Sequence, residues 1–334
     1  MSISNKIISK VNGEYKYALN DLKGAAGLNE RLYRNARGAR IVCYHGICKK
    51  DHLKFNNTFL TLEMFEEHLQ FYKKYFNVIS LEDYYAEHFS KDKFNICISF
   101  DDGYHNNYKY VLTLLKKYQL SATFFITAIS EAGYDILWND FLGIVTKYGA
   151  AKVAYKNETF YKDQYGKYIS VINNEPLAEK IRSGGYNLKI EMMELFSTIP
   201  FRNKKDDEDF WLQMTPAEIR ELSDCEFCTI GSHGYFHNDL SRLSIENAFE
   251  EMMCSKKYLE NITDKKISAL AFPYGTYTRS VITEAKKAGY DKLLALDFHF
   301  KEDESDLTMR ERFVVNPYIS ASNQMIATIK GKYF

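Results

Sequence analysis

The stretch Asn95-Ile96-Cys97-Ile98-Ser99-Phe100-Asp101-Asp102-Gly103-Tyr104 decides how this chain is read. Its first residues form a largely apolar run, which predicts a buried strand. Two adjacent carboxylates then stand at the strand end. Burying charge is costly unless it is paired or metal-bound, so such an end is a poor structural device. Consecutive residues point in different directions. One carboxylate can therefore hold a metal ion while its neighbour faces a substrate, a division of labour suited to a metal-assisted hydrolase. The bland alternative is a strand followed by a turn, since Asp and Gly both suit tight turns.

Two later segments weigh on that choice. Cys228-Thr229-Ile230-Gly231-Ser232-His233-Gly234-Tyr235-Phe236-His237 again runs from an apolar stretch into polar chemistry. Its His-x-x-x-His spacing sets both imidazoles on one side of a turn. With Asp102 they would make a two-histidine, one-carboxylate set that leaves positions open for water and substrate. The third segment, Ile267-Ser268-Ala269-Leu270-Ala271-Phe272-Pro273-Tyr274-Gly275, is strand-like and stops at Pro-Tyr-Gly. Proline ends the strand and sets φ, and glycine permits an unusual turn.

Phe-Asp-Asp-Gly-Tyr, Ser-His-Gly-Tyr-Phe-His and Phe-Pro-Tyr-Gly, in this order, resemble the first three motifs of the polysaccharide deacetylases, the NodB-homology group or carbohydrate esterase family four. Ile41-Val42-Cys43-Tyr44-His45-Gly46 is similar to the strand that opens the domain in one bacterial branch, and Ser121-Ala122-Thr123-Phe124-Phe125-Ile126 to the strand after the first motif. The resemblance runs from about residue 39 to 316, with an unmatched stretch near 140–212. It implies that Asp101 is the general base and that Asp102, His233 and His237 hold one divalent metal ion. Zinc is the first expectation, with cobalt, nickel and iron tolerated by the same ligands. The Tyr274 backbone N–H would help bind an oxyanion, and Tyr104 and Pro273 would lie against the substrate.

The chain departs from the family pattern at two points. Many members carry an arginine in the third motif that orients the base; Ala271 stands at the matching position. Arg312, in Arg310-Glu311-Arg312-Phe313-Val314-Val315, is a candidate to supply that charge from a late strand, with a solvated strand-end charge as the alternative. The late Leu-x-His that usually provides the general acid is not recognisable. His45 and His299 are the candidates, and His45 is preferred because it ends a predicted strand.

Composition agrees with an enzyme of this size. The 334 residues are 46% hydrophobic, enough for one large core with an insertion. Lys+Arg and Asp+Glu number 44 each, so the formal net charge is zero and there is no basic footprint for nucleic acid. No stretch reaches the length of a membrane-spanning segment, and Met1-Ser2-Ile3-Ser4-Asn5-Lys6 opens no apolar signal core. The expected location is cytoplasmic, free or at the inner membrane face. Six cysteines fit a reducing compartment. Cys225 and Cys228 form a lone Cys-x-x-Cys at a strand entrance, which reads as packing.

Strands and helices alternate along the chain. Strands are expected near 40–44, 77–80, 95–100, 121–126, 227–231, 267–271, 291–296 and 312–316, with helices between most of them. Repeated βα units imply a parallel sheet with helices outside. The fold class is α/β, a distorted (β/α) barrel of the NodB-homology type. A helical extension at 1–38 precedes the deacetylase domain at 39–334, which carries an insertion at about 133–212. Within it, a hairpin strand is expected at Tyr155–Tyr161 and helices at 175–197 and Asp206–Leu212. Long insertions after barrel strands commonly shape substrate access. A lid is therefore expected, with Trp138 a candidate for stacking on a sugar ring and an ordinary core anchor as its alternative reading. The leading function is metal-dependent hydrolysis of the N-acetyl group of an acetamido sugar, in a surface glycan, sugar nucleotide or lipid-linked precursor. An amidohydrolase of small molecules or a sugar O-acetyl esterase on the same scaffold is the alternative, and a degenerate sugar-binding module a third.

Overall fold

The computed structural model describes residues 3–55 and 57–334, with side chains described from Gly13 onward apart from position 56. Seven parallel strands close into a ring. They are β1 (Ala39–Tyr44), β2 (Asn95–Phe100), β3 (Ala122–Ile126), β4 (Cys228–Ser232), β5 (Ala269–Ala271), β6 (Lys292–Ala295) and β7 (Met309–Val314). Each pairs with the next in chain order, and β7 pairs back onto β1. The region expected as a strand at 77–80 is only Asn77–Val78, hydrogen-bonded to the start of β2. The barrel is therefore the distorted, seven-stranded kind.

Side-chain alternation explains what lies inside. Ile41, Cys97, Phe125, Ala269, Ala271 and Leu294 form one buried cluster. Register places Ile41, Cys97 and Arg312 side by side, with Cys43 and Ser99 one inward position higher and Asp101 just above. The outward residues of the same strands, such as Val42, Ile98 and Phe124, join the larger core beneath the helices. The helix Leu62–Tyr75 shows how those helices dock. Thr61 caps its first turn by accepting from the Met64 N–H, and Phe65, His68, Leu69 and Tyr72 are buried at helical spacing. Each fully buried aromatic or aliphatic chain in that row contributes about 1.5–3 kcal/mol.

The helical extension consists of Ile3–Ala25 and Glu30–Asn35. It packs on the final helix, Ala321–Lys330, where Asn323 donates to Tyr17 O at 3.1 Å and to Asp21 Oδ1 at 2.7 Å. The insertion forms a body with its own core, centred on Leu137, Trp138, Phe141, Phe160, Phe196 and Trp211. The expected hairpin strand is two strands, Lys152–Tyr155 and Glu158–Lys162, and a third, Tyr168–Ser170, completes an antiparallel sheet. The single helix expected at 175–197 is two, Leu177–Ser183 and Tyr186–Leu195, separated at Gly184 and Gly185. Glycine loses more freedom in a helix than other residues, and two in succession end it. The helix expected at Asp206–Leu212 is a 3-10 segment over Lys205–Phe210.

The turn after β2 requires its glycine. Gly103 has φ +88°, and a Cβ there would stand 2.8 Å from the Ile126 side chain. Gly103→Ala is expected to cost more than about 1 kcal/mol, because both backbone and space oppose the methyl group. Urea denaturation checks this; an unchanged midpoint would show that the turn tolerates a side chain.

Candidate active site

The carboxyl ends of the strands bring together residues far apart in sequence, as parallel barrels do. Asp101 and Asp102 follow β2, His233 and His237 follow β4, Tyr274 follows β5, and His45 follows β1. His45, Asp101, Asp102, Tyr104, His233, His237 and Tyr274 line one cavity of about 210 Å3. A larger cleft of about 590 Å3 lies between the helices Tyr186–Leu195 and Ile245–Thr263, on another side of the loop after β4. None of the predicted site residues lines it, so chemistry rather than size picks the smaller cavity.

Asp102, His233 and His237 are all buried, and one ligand atom from each lies within 4.8 Å of the others. Asp102 Oδ1 is 3.4 Å from His233 Nε2 and 3.3 Å from His237 Nε2. His233 Nδ1 lies 2.8 Å from the Ala271 carbonyl oxygen. That carbonyl accepts an N–H, which sets the tautomer and turns the Nε2 lone pair toward Asp102. Two imidazole nitrogens and a carboxylate oxygen converging in a buried pocket suit a divalent metal, and these residues fit one. Burial alone would raise the Asp102 pKa, but His233 and His237 hold it well below the usual carboxylate range.

Asp101 faces the other way. Arg312 donates to it through both ends of the guanidinium, Nη1 to Oδ1 at 2.5 Å and Nη2 to Oδ2 at 2.7 Å. The two residues are 4% and 3% exposed, so the pair is shut away from water. Cys43 Sγ also donates to Asp101 Oδ2 at 3.4 Å. Burial pushes the Asp101 pKa up, Arg312 and His233 push it down, and the net shift is down. The guanidinium rises from mid-strand, because β7 begins at Met309 rather than at 312 as expected. Arg312 thus points into the barrel, 5.3 Å from the Phe125 ring centroid. Ala271, at the third-motif position, is fully buried on β5 and carries no charge toward Asp101.

Backbone strain gathers here. Asp102, His237 and Tyr274 have φ of +78°, +51° and +63°. Non-glycine residues at such angles cost of order 1–3 kcal/mol and persist where the surroundings over-determine them.

The remaining candidates divide. His45 lines the cavity, and its Nδ1 is buried without a partner. One ligand atom each of Cys43, His45 and Asp101 lies within 4.8 Å of the others. His299 stands elsewhere, stacked on Tyr277 with centroids 4.3 Å apart. Tyr104 lies against the cavity with its hydroxyl donating to Asp140 Oδ2 at 2.9 Å. Pro273 is buried behind Tyr274 and does not line the cavity; its ring shapes the turn rather than a substrate surface. Trp138 is also corrected. It is 4% exposed in the core of the insertion, so no ring face is open to a sugar, and its Nε1–H donates to the His237 carbonyl at 3.2 Å.

Asn139 escaped notice in the sequence. It lines the cavity, and its Oδ1 is buried without a partner. Its only signal was its place between Trp138 and Asp140. The six cysteines are free thiols, and Cys225 and Cys228 pack with the main core.

The polysaccharide deacetylase family model matches residues 90–136 and 198–293. Those segments contain Asp101, Asp102, His233, His237 and Tyr274 and leave out most of the insertion. The fold is shared with solved structures at low identity. One is the deacetylase PplD of Streptococcus pyogenes in complex with acetate, at 17% identity and TM-score 0.56, covering 87% of this chain and 97% of that one. Another is a de-N-acetylase from Aggregatibacter actinomycetemcomitans, at 16% identity and TM-score 0.52, covering 88% and 98%. A third is a polysaccharide deacetylase from Bacillus cereus, at 19% identity and TM-score 0.53, covering 87% and 68%. No curated protein matches the chain.

The matched segments and the closed barrel make this chain similar to the polysaccharide deacetylases, the NodB-homology group. It is a hydrolase of the class acting on carbon–nitrogen bonds other than peptide bonds. Among the described residues, no helix is long and apolar enough to cross a membrane.

Proposed function

We propose that this enzyme removes the N-acetyl group of an acetamido sugar, with Asp102, His233 and His237 holding one divalent ion, zinc by preference. The observation that carries this reading is the buried Asp101–Arg312 pair standing beside the three-ligand cluster in one cavity. The ion would polarise the amide carbonyl and make water more acidic. Asp101 accepts the proton of the attacking water, and Arg312 keeps it ionised and aimed. The Tyr274 amide, held at positive φ in the Pro-Tyr-Gly turn, donates to the oxygen that gains charge. His45 returns a proton to the departing amine. Asn139 offers its free acceptor to an N–H or hydroxyl of the sugar. Acetate and a free amine are the products.

The test is acetate release from a panel of N-acetylhexosamine donors (free, nucleotide-linked, lipid-linked and polymeric), with divalent-depleted and reloaded protein. Release is expected only from the reloaded protein, and His45→Gln should lower kcat by about 100-fold, the usual worth of a positioned proton donor. A protein that binds metal yet frees acetate from no acetylated sugar would overturn the reading.

A further inference from the structure

We propose that the insertion is a working part of the metal site: Trp138, Arg182 and Lys189 are positioning residues that clamp the loop carrying His237. The inference rests on the metal-site reading above. It concerns how the second imidazole is held, and with what consequence for affinity.

The loop after β4 needs external support. It runs through Gly234 at φ +80° and His237 at φ +51°, so its own backbone preferences do not hold it. The far nitrogen of His237 is not held either, since Nδ1 is buried without a partner among the described residues. The histidine that precedes it is different: His233 is anchored through Nδ1 to the Ala271 carbonyl. For metal-binding histidines that outer hydrogen bond normally sets the ring. His237 must be fixed by other means, and the contacts around its backbone show how.

Three side chains of the insertion converge on the loop. Trp138 Nε1–H donates to the carbonyl oxygen of His237 itself at 3.2 Å. Lys189 Nζ donates to Asn238 Oδ1 and, at 3.3 Å, to the Gly184 carbonyl. Arg182 donates to Asp239 Oδ2 from Nε at 3.0 Å and from Nη2 at 2.8 Å. Consecutive residues of the ligand loop, 237, 238 and 239, are thus each gripped by one residue of the insertion. From the barrel side Glu251 completes the frame. Its Oε2 accepts the Tyr235 and Phe236 amides at 2.9 and 3.0 Å, and its Oε1 accepts Asn238 Nδ2.

The burial of Lys189 argues that this frame has a purpose. It is 0% exposed, and an ammonium taken from water costs several kcal/mol unless its surroundings compensate. It lies 5.0 Å from the Trp138 ring centroid, a cation–π placement. The cation therefore links Trp138 to Asn238 on either side of His237. Arg182 extends the same grip to the neighbouring turn. Its guanidinium lies 4.3 Å from the Tyr274 ring centroid, and Asp239 Oδ1 accepts from Thr276 Oγ1 at 2.7 Å. The insertion so reaches the site through the ligand loop itself, where the sequence suggested a lid over the substrate.

The experiment measures zinc affinity by chelator competition, and the cobalt absorption spectrum, for full-length Trp138→Phe and Lys189→Met proteins. Trp138→Phe keeps an aromatic ring but removes the N–H donor to His237 with part of the indole; Lys189→Met keeps most of the chain length and removes the charge. Each is expected to weaken zinc by about tenfold, the lower end of what losing an outer partner costs, and to alter the cobalt spectrum. Phe160→Leu is the control: it loosens the core of the insertion from its antiparallel sheet, where strand pairing sets it between Val153 and Ser170. Its zinc affinity should stay within about twofold of the parent, although its melting temperature falls. If Trp138→Phe binds zinc as the parent does, or if Phe160→Leu loses as much affinity, the clamp is refuted and the insertion merely stabilises. Should Lys189→Met fail to fold, Trp138→Phe decides alone. A parent protein that takes up no zinc or cobalt would instead defeat the metal-site reading itself.

Discussion

Asp102→Asn is expected to cost this enzyme its metal and at least about 1,000-fold in kcat/KM. The substitution is close to isosteric, and Asn is among the few residues that accept φ near +78° readily, so the fold should stand. What goes is the negative charge between two imidazoles. In the parent, His233 Nε2 and His237 Nε2 face one carboxylate oxygen at 3.4 and 3.3 Å. An amide oxygen there is a weaker donor with no charge to balance the ion. Losing an outer partner already costs about 10–100-fold in metal affinity, and a direct ligand should exceed that. The activity figure follows because the ion contributes several kcal/mol and each 1.36 kcal/mol is about a factor of ten. Metal content after desalting, measured beside acetate release, checks both halves. Full metal occupancy in Asp102→Asn would remove Asp102 from the ligand set.

Arg312→Met should be nearly as damaging, and by a different route. It leaves Asp101 buried with its partner gone, and breaking a buried pair on one side costs about 3–5 kcal/mol. The pH dependence carries the sign. In the parent the folded pKa of Asp101 lies below its ordinary value, held down against burial by Arg312 and His233. The pair therefore contributes stability that is fully present above the unfolded pKa, about 3.9, and is lost as pH falls through the folded one. In Arg312→Met burial loses its main opponent, so the Asp101 pKa rises. The acidic limb of kcat/KM should move to higher pH, and the stability deficit should shrink as the medium is acidified. Adding Asp101→Asn should recover stability without recovering turnover, since replacing both members of a buried pair is often neutral. An acidic limb that stays where the parent has it would show that Arg312 does not govern this carboxylate.

The ring of βα units and its chemistry were legible because both rest on short-range signals. Apolar runs ending at Asp101-Asp102, His233 and Pro273 mark strands that end in polar or turn residues, and parallel barrels gather such ends on one face. Arg312 could be named but not oriented. Its neighbours Arg310 and Glu311 made the segment look like a solvated strand end, whereas β7 starts earlier, at Met309. A buried charge inside a barrel becomes visible only once Asp101 stands opposite it. Trp138 stayed open for the reverse reason. An aromatic residue in an inserted segment suits sugar stacking or a core anchor, and its burial depends on Leu137, Phe141 and Trp211 folding into a core around it. The grip of Lys189 and Arg182 left no trace in pattern at all, because it joins residues whose proximity is purely tertiary.

The same pair that aims the base also spans the chain. Asp101 lies at the end of the second barrel strand and Arg312 on the last, which seals the ring against the first. A growing polypeptide can lay down the strands that carry Asp102, His233 and His237 and still lack the cation that keeps Asp101 ionised. Competence thus arrives late and all at once, with the closing strand. A product truncated before Met309 would hold every residue of the three-ligand cluster and lack both the closing strand and the partner of Asp101.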